Sequence, residues 1–185
     1  RDRFKNLHSG MAIDTARGHL IVFGSDTHST NWDNSVHRYD PALRSWTTDY
    51  PWTDLSSYKT DVVGQAIAGD PSRPIPWAMH TYDELVYDPL QDSLVVVAND
   101  PHNYAGYRKV DEKYHPTWFY DLNSKAWSTF VNHHETDTLK VPNFFASGSS
   151  YDPDRNVIWA IKPSQLWFID SNRQGWKQVV FKRGA

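Results

Sequence analysis

Apolar residues in this chain come in short runs cut by Asp-rich polar segments, and no long stretch repeats them at helical spacing. Three runs share an upstream signature. AIDTARGHLIVFG (12–24), VYDPLQDSLVVVA (86–98) and SYDPDRNVIWAIK (150–162) each place an Asp six residues before an aliphatic strand. Those residues are Asp14, Asp88 and Asp152, ahead of Leu20, Leu94 and Ile158. Three further segments end alike: YDPALRSW (39–46), YDLNSKAW (120–127) and IDSNRQGW (169–176) set Asp40, Asp121 and Asp170 six residues before Trp46, Trp127 and Trp176. Asp-Pro with Arg-Gly or Arg-Asn between two apolar runs is hairpin chemistry. Each unit therefore reads strand, tight turn, strand, loop, strand, turn, strand. Repeated units of four short antiparallel strands predict an all-β chain of β-propeller blades. About three blades are present, at approximately 7–50, 79–130 and 143–181, joined by long connectors at 51–78 and 131–142.

The register of the repeat also locates a candidate site. Asp26 and Asp100 each lie 12 residues beyond their anchors Asp14 and Asp88, and His28 and His102 lie 14 beyond. SDTH (25–28) and NDPH (99–102) are thus one structural position seen twice, the loop between second and third strands. Because antiparallel strands alternate direction, that loop leaves the blade on the same face as the blade-to-blade connectors. All the insertions fall there, while the turns on the opposite face stay short. Binding and catalysis concentrate on such loops. The candidate face holds His8, His28, His80 and His102 as catalytic histidines, with Tyr104 and Arg108, and Asp26, Trp32, Trp77, Asp100 and Tyr107 as substrate contacts.

Each of these has a structural alternative. His8 and His80 also suit strand capping, and Asp26 and Asp100 suit turns in which the side chain accepts from its own backbone. The Asp residues of the hairpins are turn formers rather than catalysts. Trp46, Trp127 and Trp176 are fixed by the repeat and are expected to pack between blades, whereas Trp32, Trp52 and Trp77 sit in loops where a ring can stack on a ligand.

Composition narrows the chemistry. A net charge of −3 offers no basic field for nucleic acid or an anionic membrane, and no apolar run is long enough to cross a bilayer. The absence of cysteine excludes disulfides, Cys-ligated zinc and a thiol nucleophile within these 185 residues. No compact metal-ligand motif occurs, so neither a metal nor another cofactor is expected.

The apolar strand ending at Phe23-Gly24, followed by Tyr39-Asp40-Pro41 and Trp46, resembles the kelch-type β-propeller family; Tyr120 and Trp127 repeat the spacing. The chain departs from that family where its glycine doublet becomes Gly24-Ser25, Ala98-Asn99 and Ile161-Lys162, and where Ile169 replaces the tyrosine. Propellers have about four to eight blades. The expectation is a portion of a larger ring, with the remaining blades supplied by the rest of the chain or by another copy. A weaker similarity runs to β-propeller polysaccharide lyases, ulvan lyases among them. It implies an extracellular or periplasmic protein acting on a polysaccharide or oligosaccharide by β-elimination, with His and Tyr as base and acid and Arg on the uronate carboxylate. The alternative is a non-catalytic carbohydrate- or protein-binding propeller module. A copper oxidase of the galactose-oxidase type is excluded here, since its Tyr–Cys cross-link needs a cysteine.

Overall fold

The computed structural model describes residues 9–24, 32–60, 66–97, 117–129, 144, 146–173 and 175–181. These form three four-stranded antiparallel sheets, each following chain order from first strand to last. The first contains β1 (Gly10–Asp14), β2 (His19–Phe23), β3 (Val36–Asp40) and β4 (Ser45–Tyr50). The connector adds the two-residue strands β5 (Lys59–Thr60) and β6 (Ala66–Ile67). The second sheet contains β7 (Leu85–Asp88), β8 (Ser93–Val96), β9 (Trp118–Asp121) and β10 (Ala126–Thr129). The third contains β11 (Gly148–Asp152), β12 (Val157–Lys162), β13 (Gln165–Asp170) and β14 (Lys177–Val179). The strands that approach one another between sheets are β1, β7 and β11. First strands converging at the centre, with the later strands outboard, is the blade arrangement of a β-propeller.

The repeated Asp residues explain the hairpins. Oδ1 of Asp14, Asp40, Asp88, Asp121 and Asp152 accepts from the backbone N–H groups two and three residues ahead, at 2.6–3.2 Å. Four residues after each Asp the chain takes a positive φ, at Gly18, Arg44, Asp92, Lys125 and Asn156. One side chain therefore closes each turn, and the left-handed residue sends the chain back into the next strand.

Alternation does the rest. Cross-strand partners share a face, so Leu85, Tyr87, Leu94, Val96, Trp118, Tyr120 and Trp127 line one side of the second sheet. They form a core with Ala12, Ile21 and Phe23 of the first sheet. Val86, Val95 and Phe119 line the other side and pack on Tyr151, Ile158, Ala160, Trp167, Ile169 and Trp176. Each sheet thus has a front, which meets its predecessor, and a back, which meets its successor. The middle sheet is covered on both.

This corrects one expectation. Trp127 and Trp176 are buried at the front of their sheets, but Trp46, at the same repeat position, is exposed on the front of the first sheet. Among the described residues no sheet precedes it there, and it stacks on its cross-strand neighbour Tyr39, with ring centroids 5.0 Å apart.

Ion pairs link the sheets at the turn face. Arg17 reaches Asp92 through two parallel hydrogen bonds of 2.7 and 2.5 Å, and Tyr87 and Asn123 also donate to that carboxylate. Arg17 is the main reason the Asp92 carboxyl is pulled down to about 2. Burial, reinforced by Asp92, pushes the Tyr87 phenol up. Between the second and third sheets, Arg173 bonds Asp88 at 2.9 Å and Ser93 at 2.5 Å, with its guanidinium 4.1 Å from the Phe119 ring centre.

Candidate functional site

The segment HTYDE (80–84) joins all three sheets at the loop end of the converging first strands. Thr81 Oγ1 donates to the Phe23 carbonyl at 2.8 Å and accepts from the Gly10 N–H at 2.6 Å, which fixes it to the first sheet. Glu84 N–H closes a turn onto the Thr81 carbonyl at 2.7 Å, and Val97 N–H donates to the Glu84 carbonyl at 2.9 Å. The fully buried Glu84 carboxylate accepts from the Ser147 N–H at 2.8 Å, and Ser149 Oγ donates to the Asp83 carbonyl at 2.6 Å. These last two bonds tie the segment to the start of the third sheet.

His80 stands at the head of this hub and is buried. Its ring lies 5.8 Å from that of Tyr82, tilted by 30°. Tyr82 itself is half-buried at φ 38, a conformation that costs a bulky residue about 1–3 kcal/mol and clusters at functional positions. Two glycines permit the close approach. A Cβ at Gly10 would sit 2.3 Å from the Tyr82 carbonyl oxygen, and one at Gly24 would sit 2.5 Å from Thr81 Oγ1.

Beside the hub, the segment before β3 carries a buried polar string. Ser35 Oγ donates to Asp33 Oδ1 at 2.5 Å and lies 2.8 Å from His37 Nε2, whose Nδ1 is 3.2 Å from Thr48 Oγ1. A serine has one hydroxyl proton, and here it goes to the carboxylate, so the imidazole Nε2–H donates to the serine. That polarity is the reverse of a nucleophilic serine, whose proton goes to the histidine. The string holds the loop in place.

The long connector is folded, not open loop. Its described residues form a short 3-10 helix at Leu55–Ser57, the β5–β6 pair and a bridge from Ala68 to Ile75. Asn34 ties the connector to the first sheet, donating to Thr53 Oγ1 and the Pro76 carbonyl and accepting from the Thr53 N–H. Trp77 is therefore corrected as a ligand-stacking residue. It is buried, its indole N–H donates to the Ile67 carbonyl at 2.6 Å, and it stacks on Tyr58 at 5.7 Å and 17°. Trp32 is half-buried against the same core, and its carbonyl accepts from the Tyr58 hydroxyl at 3.4 Å. Trp52 is exposed and keeps a ring available to solvent.

Of the other sequence-derived site residues, His8, Asp26, His28, Asp100, His102, Tyr104, Tyr107 and Arg108 lie outside the described residues. Among the described residues no group of three or more His, Cys, Asp or Glu could hold a metal ion, and no helix is long and apolar enough to cross a membrane. Sequence reasoning missed Thr81 and Glu84. The one legible hint is a hydroxyl residue following histidine in two units, His8-Ser9 and His80-Thr81. Glu84 gave no signal, because Asp-Glu before an apolar run reads as solvated turn.

No family model matches the chain, and no curated protein matches it. A solved structure that it resembles is the crystal structure of TolB from Acinetobacter baumannii, at 10% identity and a TM-score of 0.39. That similarity covers 94% of this chain, which spans 32% of the TolB chain. The blade architecture rests on the sheets' own topology and packing.

Proposed function

We propose that this chain is part of a kelch-like β-propeller directed at polysaccharide outside the cytoplasm, and that its loop face cleaves uronate-containing polymer by β-elimination. The observation that carries this reading is the hub at residues 80–84, which holds His80 and Tyr82 at the loop end of the three converging strands. Among the described residues the turn face offers no comparable chemistry, since its carboxylates already accept from backbone N–H groups or pair with arginines.

In this reading Arg108 grips the uronate carboxylate bidentately and stabilises the charge that develops when the proton leaves C5. A neutral histidine, His28 or His102, takes that proton. The electron pair forms the C4–C5 double bond as the glycosidic oxygen departs from C4, and Tyr104 protonates that oxygen. His80, being buried, positions the loop bases instead of touching polymer. Asp26, Asp100 and Tyr107 contact the sugar hydroxyls. A second reading, a carbohydrate-binding module without catalysis, is favoured by the exposed Trp52 ring and the half-buried Trp32.

The test follows ultraviolet absorbance of the unsaturated sugar over a panel of uronate-rich polysaccharides. The wild-type chain is expected to raise the absorbance, and His28→Ala to slow it by about 10²–10⁴-fold, the usual size of a general-base contribution. A flat trace from protein that is retained on a glycan column favours the binding module. A flat trace with no retention overturns the carbohydrate reading altogether.

A further inference from the structure

The two internal junctions of this molecule follow one rule: the front of each sheet packs on the back of the one before. Aligning the sheets on Asp14, Asp88 and Asp152, and on Asp40, Asp121 and Asp170, shows what the rule leaves uncovered. On the front of the second sheet Leu85, Tyr87 and Trp127 are 6%, 6% and 8% exposed. Their equivalents on the front of the first sheet, Met11, Ile13 and Trp46, are 61%, 59% and 49% exposed. Cross-strand register places Val22 beside Met11, and Leu20 and Tyr39 in one row with Ile13 and Trp46, on that same face. At the other end, Phe23 and Val97 are 0% and 2% exposed on the backs of the first two sheets, while their equivalent Ile161 is 57% exposed on the back of the third. Leu166 and Val179 share its row, and Trp159 and Phe168 pair in the row beside it.

The described residues therefore leave an unpartnered front and an unpartnered back, each built from the positions that make a buried junction twice within the same molecule. Contiguous apolar faces of this kind mark interaction surfaces. We propose that a second copy of this chain covers both. The front of each copy's first sheet packs on the back of the other's third sheet, so two three-bladed chains close a six-bladed ring about a two-fold axis. A partner of different fold would have to match a register that the chain already matches with itself. Six blades fall inside the usual propeller range of about four to eight.

Sedimentation equilibrium across the micromolar range tests this. The wild-type chain is expected at twice its 21.4 kDa. Ile13→Asp, on the front, and Ile161→Asp, on the back, are each expected at the single-chain mass, because either substitution spoils both junctions of a symmetric pair. Mixing the two variants in equal amounts should restore a two-chain species, since one junction is then unaltered on both sides. Recovery on mixing also shows that both variants are folded. Met11→Lys should behave as Ile13→Asp does and be rescued by the same partner. A wild-type chain that stays single at every concentration overturns the proposal. So does an Ile161→Asp variant that remains paired, which would mean front-to-front association, and so does an open-ended series of larger species.

Discussion

Trp127→Ala is expected to destabilise the chain by about 3–5 kcal/mol, the range for truncating a large aromatic ring in a packed core. The ring sits where the first two sheets meet, with centroids 5.1 Å from Phe23, 4.9 Å from Tyr120 and 6.4 Å from Tyr50. Its removal leaves a cavity that neither sheet can close, because both are held by turn-face ion pairs and by Thr81. For a chain of this size each kcal/mol shifts the melting midpoint by about 2–4 °C, so a fall of roughly 10 °C is expected. Trp127→Phe should cost far less. The buried indole N–H has no hydrogen-bond partner among the described residues, so a phenyl ring keeps much of the packing and removes an unsatisfied donor. The repeat supplies an internal comparison. Trp46→Ala, measured on the dilute single chain, should cost about 1 kcal/mol or less, because an exposed ring loses little beyond its contact with Tyr39. Thermal melts of the three variants check this, and equal losses at positions 46 and 127 would contradict the front-to-back account.

Gly24→Ala is expected to cost about 3 kcal/mol or more. Gly24 adopts φ 94, which penalises any residue with a Cβ by about 1–2 kcal/mol. A Cβ there would also lie 2.5 Å from Thr81 Oγ1 and 2.7 Å from the Met79 carbonyl oxygen. Relief requires the hub to back away, which breaks the Thr81 bonds to Phe23 and Gly10, each worth about 0.5–1.5 kcal/mol. Gly18→Ala is the matched control. It has φ 71, but a methyl group there would meet no atom within 4 Å, so only the backbone penalty of about 1–2 kcal/mol remains. Asp92, Asn156, Arg44 and Lys125 already occupy equivalent turn positions at positive φ, so asparagine at position 18 should be tolerated. Denaturant midpoints of these variants give the comparison, and a Gly24→Ala loss no larger than that of Gly18→Ala would remove the close-approach argument.

The blades are legible in the sequence because their determinants are local. An Asp that closes a turn on the next two or three N–H groups does so from its own sequence neighbourhood, and alternation fixes which strand residues face together. Trp46 is not legible in the same way, because burial is not local: the same residue at the same repeat position is core or surface according to whether a sheet lies before it. Trp77 escapes for another reason, since the connector has no periodic pattern. Its order comes from Asn34, Tyr58 and two-residue strands, which leave no signature in a hydropathy trace. The site is half legible. Register puts His80 on the loop side, but the hub around it depends on Thr81 and Glu84 bonding to sheets 58 and 63 residues away in sequence.

The central claim is that the middle sheet carries two cores at once, one on each face. Native-state hydrogen exchange measures this strand by strand, because protection follows the free energy of opening each element. The account predicts the slowest exchange in β8 and β9, which are central in the sheet and covered front and back, and faster exchange in the outboard strands β4 and β14. Protection concentrated in the first or third sheet, with β8 and β9 no slower than their neighbours, would contradict it.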